Sequence, residues 1–213
     1  MAARRVVSGE QVDAWLEALA SASVEPGGGA FAALSAASGS ALVEAVARRT
    51  LRRNEDDGGR FHEIVAEVAG ARPVLLSLAD RDAEAFLATI EAYRMPHDDD
   101  EARTRRLMVL QEALEEAIDV QLDLARRSVY LLGLAEEVTR DGDPNAAADG
   151  LSAAAALHAA TAAAVANAEI NAFAIADVER RTELMETCGA LRERAGILLT
   201  DVQATFRGRI AMA

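Results

Sequence analysis

Pro26-Gly27-Gly28-Gly29-Ala30-Phe31-Ala32-Ala33-Leu34 is the one stretch of this sequence where three consecutive glycines run straight into a helical pattern. Pro26 fixes one backbone angle, and residues without a Cβ let the chain pass close to another helix or to a ligand. The pattern fits neither a phosphate loop nor a dinucleotide fingerprint. It offers a tight connection or, through the outward-facing amides of a helix N-terminus, a place for an anionic group. Beyond it, Ala30, Ala33, Leu34, Ala37, Ala41 and Ala45 form a narrow face of small residues on a helix expected over Ala30–Leu51. Such a face suits the middle of a bundle, where helix axes come close together.

Helical periodicity extends outward in both directions. Val12, Trp15, Leu16 and Leu19 mark a short amphipathic helix over Ser8–Ala20, with Ser8 as its cap. A longer pattern runs from Arg60 to Arg94, where Pro73 removes a backbone donor and is expected to bend or divide the helix. The next helix is expected from Glu101 to about Arg140 and stops at Asp141-Gly142-Asp143-Pro144-Asn145. An Ala-rich helix over Asn145–Ala176 and an amphipathic one over Val178–Ile210 complete the chain. With no strand-period run and no internal repeat, the expectation is one all-α domain over residues 1–213. It would be an up-and-down bundle of long, partly kinked helices around an Ala-rich core.

Composition narrows the chemistry. The 213 residues are 51% hydrophobic and only 4% aromatic, as suits closely packed helices. The net charge of -13 opposes nonspecific binding to nucleic acid or to an anionic membrane, so neither is expected as a partner. Every cation other than the three histidines is Arg, and the absence of Lys removes Schiff-base chemistry and any titrating side-chain amine. Cys188 is alone, which excludes an internal disulfide and a Cys-rich metal site, and is expected to be a buried small hydrophobe. Residues 1–10 lack a signal-type apolar core, and Leu151–Ala166 reads as a buried helix rather than a membrane span, so a cytoplasmic location is expected.

His62, His97 and His158 are scattered, and none of the common metal or nucleophile signatures occurs. Acid–base work therefore falls to carboxylates, foremost Asp82 and Asp149. The run Asp80-Arg81-Asp82-Ala83-Glu84-Ala85-Phe86 reads either as a solvated face or, because Phe86 follows Asp82 by one helical turn, as one that carries the Asp82 carboxylate toward the apolar interior, where its pKa would be raised. Asp149 reads either as a site residue or as a helix cap, and Asn167 and Asn171 either as site residues or as partners of nearby backbone. Arg48, Arg49, Arg52 and Arg53 either complement the dipole of a helix C-terminus or supply positive charge for an anionic ligand.

Pro26-Gly27-Gly28-Gly29 before an Ala-rich helix, Asp82-Ala83-Glu84-Ala85-Phe86, Pro96, and a turn with Asn145 and Asp149 before a helix ending Glu169-Ile170-Asn171 follow one another in a recognisable order. From about Val12 to Ile210 this arrangement resembles the cyclodeaminase/cyclohydrolase family. That family comprises the cyclodeaminase domain of formiminotransferase-cyclodeaminase and the stand-alone methenyltetrahydrofolate cyclohydrolases. The resemblance implies an all-α homodimer that uses no metal and no permanently bound cofactor. Its substrate would be a tetrahydrofolate derivative, either formiminotetrahydrofolate closed to a ring with loss of ammonia or methenyltetrahydrofolate hydrolysed to the formyl form. By position, Gly27, Gly28 and Gly29 would line the folate site, Asp82 would be the acid–base carboxylate, and Asn145, Asp149 and Asn171 would be polar site residues.

The sequence departs from the family pattern in three places. Leu51-Arg52-Arg53-Asn54 stands where relatives have a Gly-Lys-Lys-type segment, Ala148 replaces the usual Ser, and Gln121 replaces the usual Pro of the fourth helix. Arg52 and Arg53 can hold a pterin carbonyl or a glutamate carboxylate but do not readily release a proton. A second expectation follows: a catalytically inactive member that serves as a folate-binding or dimeric interaction module.

Overall fold

The structure, a computed structural model, describes residues 12–21, 26–53 and 59–211. The expected Ser8 cap and the break at Asn54–Gly58 lie outside the described residues. The elements are α1 (Val12–Ala20), α2 (Gly28–Arg53), α3 (Arg60–Arg94), α4 (Asp100–Asp141), a 3-10 turn at Pro144–Ala146, α5 (Ala147–Ala172) and α6 (Val178–Ala211). Together they form the all-α bundle that the periodicity predicts.

Helices α2, α3, α4 and α5 make a ring in which each packs on the next and α5 closes back on α2; α6 lies against α4 and α5. Consecutive long helices run antiparallel. Side-chain pairs record this direction: Arg60 with Glu137 and Asp82 with Gln121 between α3 and α4, and Glu169 with Arg192 between α5 and α6. The core is rich in alanine. Ala32, Ala33, Ala36 and Ala47 of α2, and Ala153, Ala154, Ala160, Ala164 and Ala168 of α5, are fully buried. Their small side chains let the two helices approach closely, and Leu122, Leu124, Leu131 and Leu132 of α4 fill the remaining space. Cys188 is buried in this core, and burial pushes its thiol pKa up.

The sequence reading left α3 either bent or divided at Pro73; it is not divided, and is one helix with an exposed proline inside it. The missing donor is placed on the outer face, where water can reach the backbone it leaves unpaired. The α2 helix begins at Gly28, two residues early, because the Phe31 amide donates to the Gly27 carbonyl at 3.0 Å. The α5 helix ends at Ala172, four residues short of expectation. The chain turns there through amides of Ala174 and Ile175 and re-enters a helix where Asp177 caps α6 by accepting from the Glu179 and Arg180 amides.

Gly28–Arg53 and Pro144–Ala172 are long and apolar enough to cross a membrane by length and composition alone. Both pack against other helices of the bundle, and interior helices pass the same test because protein rather than lipid covers their apolar faces.

Candidate functional site

A cavity of about 380 Å³ opens where the N-terminus of α2, the C-terminus of α5, the second half of α3 and the middle of α4 converge. Gly27, Gly28 and Gly29 form one wall, Asn167 and Asn171 another, and Asp82, Phe86, Thr89, Ile90 and Tyr93 a third. Leu114 and Ala117 of α4 supply an apolar floor. A pocket walled by apolar side chains with a few convergent polar groups is the usual form of a small-molecule site.

Among the described residues Asp82 is the only ionisable carboxylate on this lining. Its partner is Gln121 on α4, whose Nε2 donates to Asp82 Oδ1 at 2.5 Å. Burial pushes the Asp82 carboxyl above the usual carboxylate range, and the Gln121 amide pulls the other way without cancelling it. Glu44, on the facing stretch of α2, makes an instructive contrast. Burial also opposes its charge, but Arg72 and Arg48 both bond to it, and the net direction is down. Glu44 is thereby held as a permanent anion in an ion pair. Asp82, facing a neutral amide, has no cation to hold it ionised and so keeps its proton to higher pH than an ordinary carboxylate.

Gly29 makes the arrangement possible. A Cβ built on it would lie 2.0 Å from Asp82 Oδ2, 2.4 Å from Asp82 Cγ and 2.6 Å from Gln121 Nε2. The carboxylate and the amide thus occupy the space that a side chain would have filled. At Gly28 a Cβ would come 3.0 Å from Asn167 Nδ2, so the same run of glycines also admits α5. Asn167 is anchored by donating to the Ala163 carbonyl at 2.9 Å.

Tyr93 closes the outer edge of the cavity. Arg106 lies over its ring, the guanidinium carbon 6.0 Å from the ring centroid, and Arg106 Nε is buried without a hydrogen-bond partner. Around the mouth, Phe31, Ile170 and Phe173 are large apolar side chains left exposed. Among the described residues no three His, Cys, Asp or Glu side chains gather closely enough to hold a metal ion. Among the described residues the polar groups on the lining are the Asp82 carboxylate, the Asn167 and Asn171 amides, the Thr89 and Tyr93 hydroxyls and the backbone at the start of α2.

The residues singled out from sequence divide into two groups. Gly27, Gly28, Gly29, Asp82 and Asn171 line this cavity. Arg52, Arg53, Asn145 and Asp149 do not: they lie at the other end of α2, whose 26 residues at about 1.5 Å each place its ends roughly 37 Å apart. There Arg49 bonds to Asp149 at 2.5 Å and Arg53 to Asp143 at 2.8 Å, while the Asn145 amide donates to Asp143 at 3.1 Å. A second, smaller cavity of about 200 Å³ lies beside Thr50, Arg53 and Asp143. Asp149 is not the cap of α5, since Ala146 holds that position without a side-chain bond. Its carboxylate is engaged by Arg49 instead.

Sequence reasoning missed Thr89, Tyr93, Leu114 and Arg106, whose pattern signals only a helix face. It noted Gln121 as a departure from the family without giving it a partner.

Known proteins resemble this chain over most of its length. The sequence model of the formiminotransferase-cyclodeaminase family matches residues 11–190. A methenyltetrahydrofolate cyclohydrolase of Methylorubrum extorquens is 30% identical over 203 residues, covering 94% of this chain and 98% of that protein. A formimidoyltransferase-cyclodeaminase of Mus musculus is 36% identical over 129 residues, which are 60% of this chain and 24% of that longer protein. The crystal structure of a formiminotetrahydrofolate cyclodeaminase from Thermotoga maritima superimposes with a TM-score of 0.84 at 27% identity, covering 96% of this chain and 99% of that one.

Proposed function

Because the chain belongs to the formiminotransferase-cyclodeaminase family, we propose that it is an enzyme of folate one-carbon metabolism, acting on methenyltetrahydrofolate or formiminotetrahydrofolate at the Asp82 cavity. The observation that carries the reading is the placement of Asp82. One carboxylate with a raised pKa faces a cavity of about 380 Å³ through a gap left by Gly29.

The two reactions share one difficulty. In each, a carbon joined to N5 of the folate passes through a tetrahedral state bonded to N5, N10 and a third heteroatom. In hydrolysis, water adds to the methenyl carbon and Asp82 takes one of its protons; Asp82 returns that proton to N5 as the C–N5 bond breaks, and the remaining hydroxyl proton passes to water as the formyl carbonyl forms. In ring closure, N10 adds to the carbon of the protonated formimino group, and Asp82 carries the N10 proton to the departing NH2, which leaves as ammonia with the methenyl cation as product. A single carboxylate whose proton affinity is raised by burial serves either sequence. Its negative charge also favours the cationic methenyl centre over the neutral formyl product.

The test is direct. Purified protein mixed with methenyltetrahydrofolate is expected to accelerate the loss of its absorbance, or to release ammonia from formiminotetrahydrofolate. Neither response above buffer would overturn the enzyme reading, and calorimetric binding of folate without turnover would instead support the inactive binding module.

The separation of the site residues supports a homodimeric site. On one chain Arg53 is too far from Asp82 to share a ligand, yet a two-fold axis across α2 would lay Arg53 of the partner subunit beside the Asp82 cavity. The exposed Phe31, Ile170 and Phe173 at the cavity mouth are apolar surface suited to such a contact. Complementation tests this arrangement. Asp82→Asn and Arg53→Ala are each expected to be deficient. When the two are unfolded, mixed in equal amounts and refolded, about a quarter of wild-type activity should return, because half of randomly paired dimers are mixed and each carries one intact site of two. No recovery would place the working site within a single chain.

A further inference from the structure

Gln121 is 1% exposed, surrounded on α4 by Ala117, Ile118, Leu122 and Ala125, and spends its amide on one interaction. Nε2 donates to Asp82, whereas Oε1 is buried with no hydrogen-bond partner. An unpaired carbonyl in such a place is costly, and a hydrocarbon side chain of the same size would avoid it. The geometry at Gly29 shows why the amide matters. Asp82 and Gln121 are pressed together into the one gap that the α2 backbone leaves, so neither can move away from the other.

The two ends of a glutamine amide are nearly equal in size but opposite in function, one donating and one accepting. Turned as it is, Gln121 satisfies a carboxylate. Turned over, it presents Oε1 to the same spot, where a carboxylic acid would donate. We infer that Gln121 is the positioning residue of Asp82, its amide reversing so that the side chain keeps one place in the cavity both as carboxylate and as acid.

The inference rests on reading Asp82 as the proton-handling group of the proposed reaction. Among the described residues no other charged side chain lines the cavity beside the pair. Arg81 of α3 is committed to Glu116 of α4 at 2.8 Å, Asp80 and Glu84 are outside the cavity lining, and α2 and α5 face Asp82 with glycines and asparagines. Gln121 has no route to the ligand except through Asp82, since it is not on the lining itself.

Gln121→Leu keeps size and helix and deletes both functions. Carbon-13 NMR of carboxyl-labelled protein, with the Asp82 resonance assigned by its loss in Asp82→Asn, reads the carboxyl without requiring turnover. The titration midpoint of Asp82 is expected to move to higher pH in Gln121→Leu. In turnover, the acid limb of the kcat/KM profile should move the same way, with kcat down roughly tenfold from lost placement and KM unchanged. Gln121→Glu is the second variant: while protonated it both donates and accepts, so it should approach wild type at low pH and fall to the Leu level as the pair loses its shared proton. If the midpoint and the acid limb stay put in Gln121→Leu, Gln121 is packing and the inference fails. Absence of turnover in the wild type together with a shifted midpoint would sink the functional reading while leaving the pairing of Gln121 with Asp82 intact.

Discussion

Asp82→Asn is expected to reduce turnover of either folate substrate by about 10²- to 10⁴-fold, the usual contribution of a positioned acid–base group, while making the protein more stable. The two effects share a cause. Burial holds the Asp82 carboxyl pKa above its ordinary value, so the folded state binds that proton more tightly than the unfolded chain does. The corresponding stability is fully present below the ordinary carboxylate range and is lost as pH rises through the raised folded value. Above that folded value the wild type carries the cost of a buried charge facing only an amide. Asparagine keeps the shape, carries no charge, and can donate to the orphaned Oε1 of Gln121. A gain of about 1 kcal/mol, or roughly 2–4 °C in Tm, is expected at pH 7 and should vanish in acid. Thermal melts of both proteins across pH check the sign. An unchanged rate would remove Asp82 from the mechanism, and a lower Tm for the variant at pH 7 would contradict the environment assigned to it.

Gly29→Ala is expected to be nearly as damaging to activity through a different route. The added methyl would lie 2.0 Å from Asp82 Oδ2 and 2.6 Å from Gln121 Nε2, well inside van der Waals contact. The α2 backbone cannot retreat, since Ala30, Ala32 and Ala33 are packed in the core behind it. The Asp82 side chain must swing away, and a displacement of about 1 Å at a reacting group costs up to roughly 10²-fold in rate. Stability should change little. Crowding costs about 1–3 kcal/mol, offset by about 1 kcal/mol from replacing glycine within a helix. A fall in kcat with Tm within a few degrees of wild type is the expected result. Full activity in Gly29→Ala would show that Asp82 has freedom the packing denies it.

Much of the fold was legible in the sequence because helical periodicity and alanine content speak directly to packing. Of the narrow face, Ala30, Ala33 and Ala37 are buried on α2, whereas Ala41 is exposed and the buried side continues through Val43, Val46 and Ala47; the stop at Asp141–Asn145 became the turn before α5. Pro73 left a bend and a division equally open in the sequence; α3 is undivided because, on an exposed face, the carbonyl one turn before a proline can turn to water. Half of the site was equally legible. Glycines before a helix and an aspartate one turn before Phe86 both signal close approach, and both reach the cavity. The distal group was not, because proximity in a bundle depends on which end of each helix a residue occupies. Arg53 and Gly28 share α2 and are therefore separated by its whole length. Gln121 illustrates the remaining gap: nothing in its own neighbourhood marks it, and its role exists only because α4 brings it to Asp82 across the space left by Gly29.

The central claim is that the one-carbon unit of a reduced folate reacts beside Asp82. A crystal structure with a stable reduced folate bound addresses it most directly. The pterin is expected between the start of α2 and Asn171, with its N5–N10 edge within hydrogen-bonding reach of the Asp82 carboxylate. A folate bound only at the Thr50, Arg53 and Asp143 end, with the Asp82 cavity holding no part of it, would contradict the account.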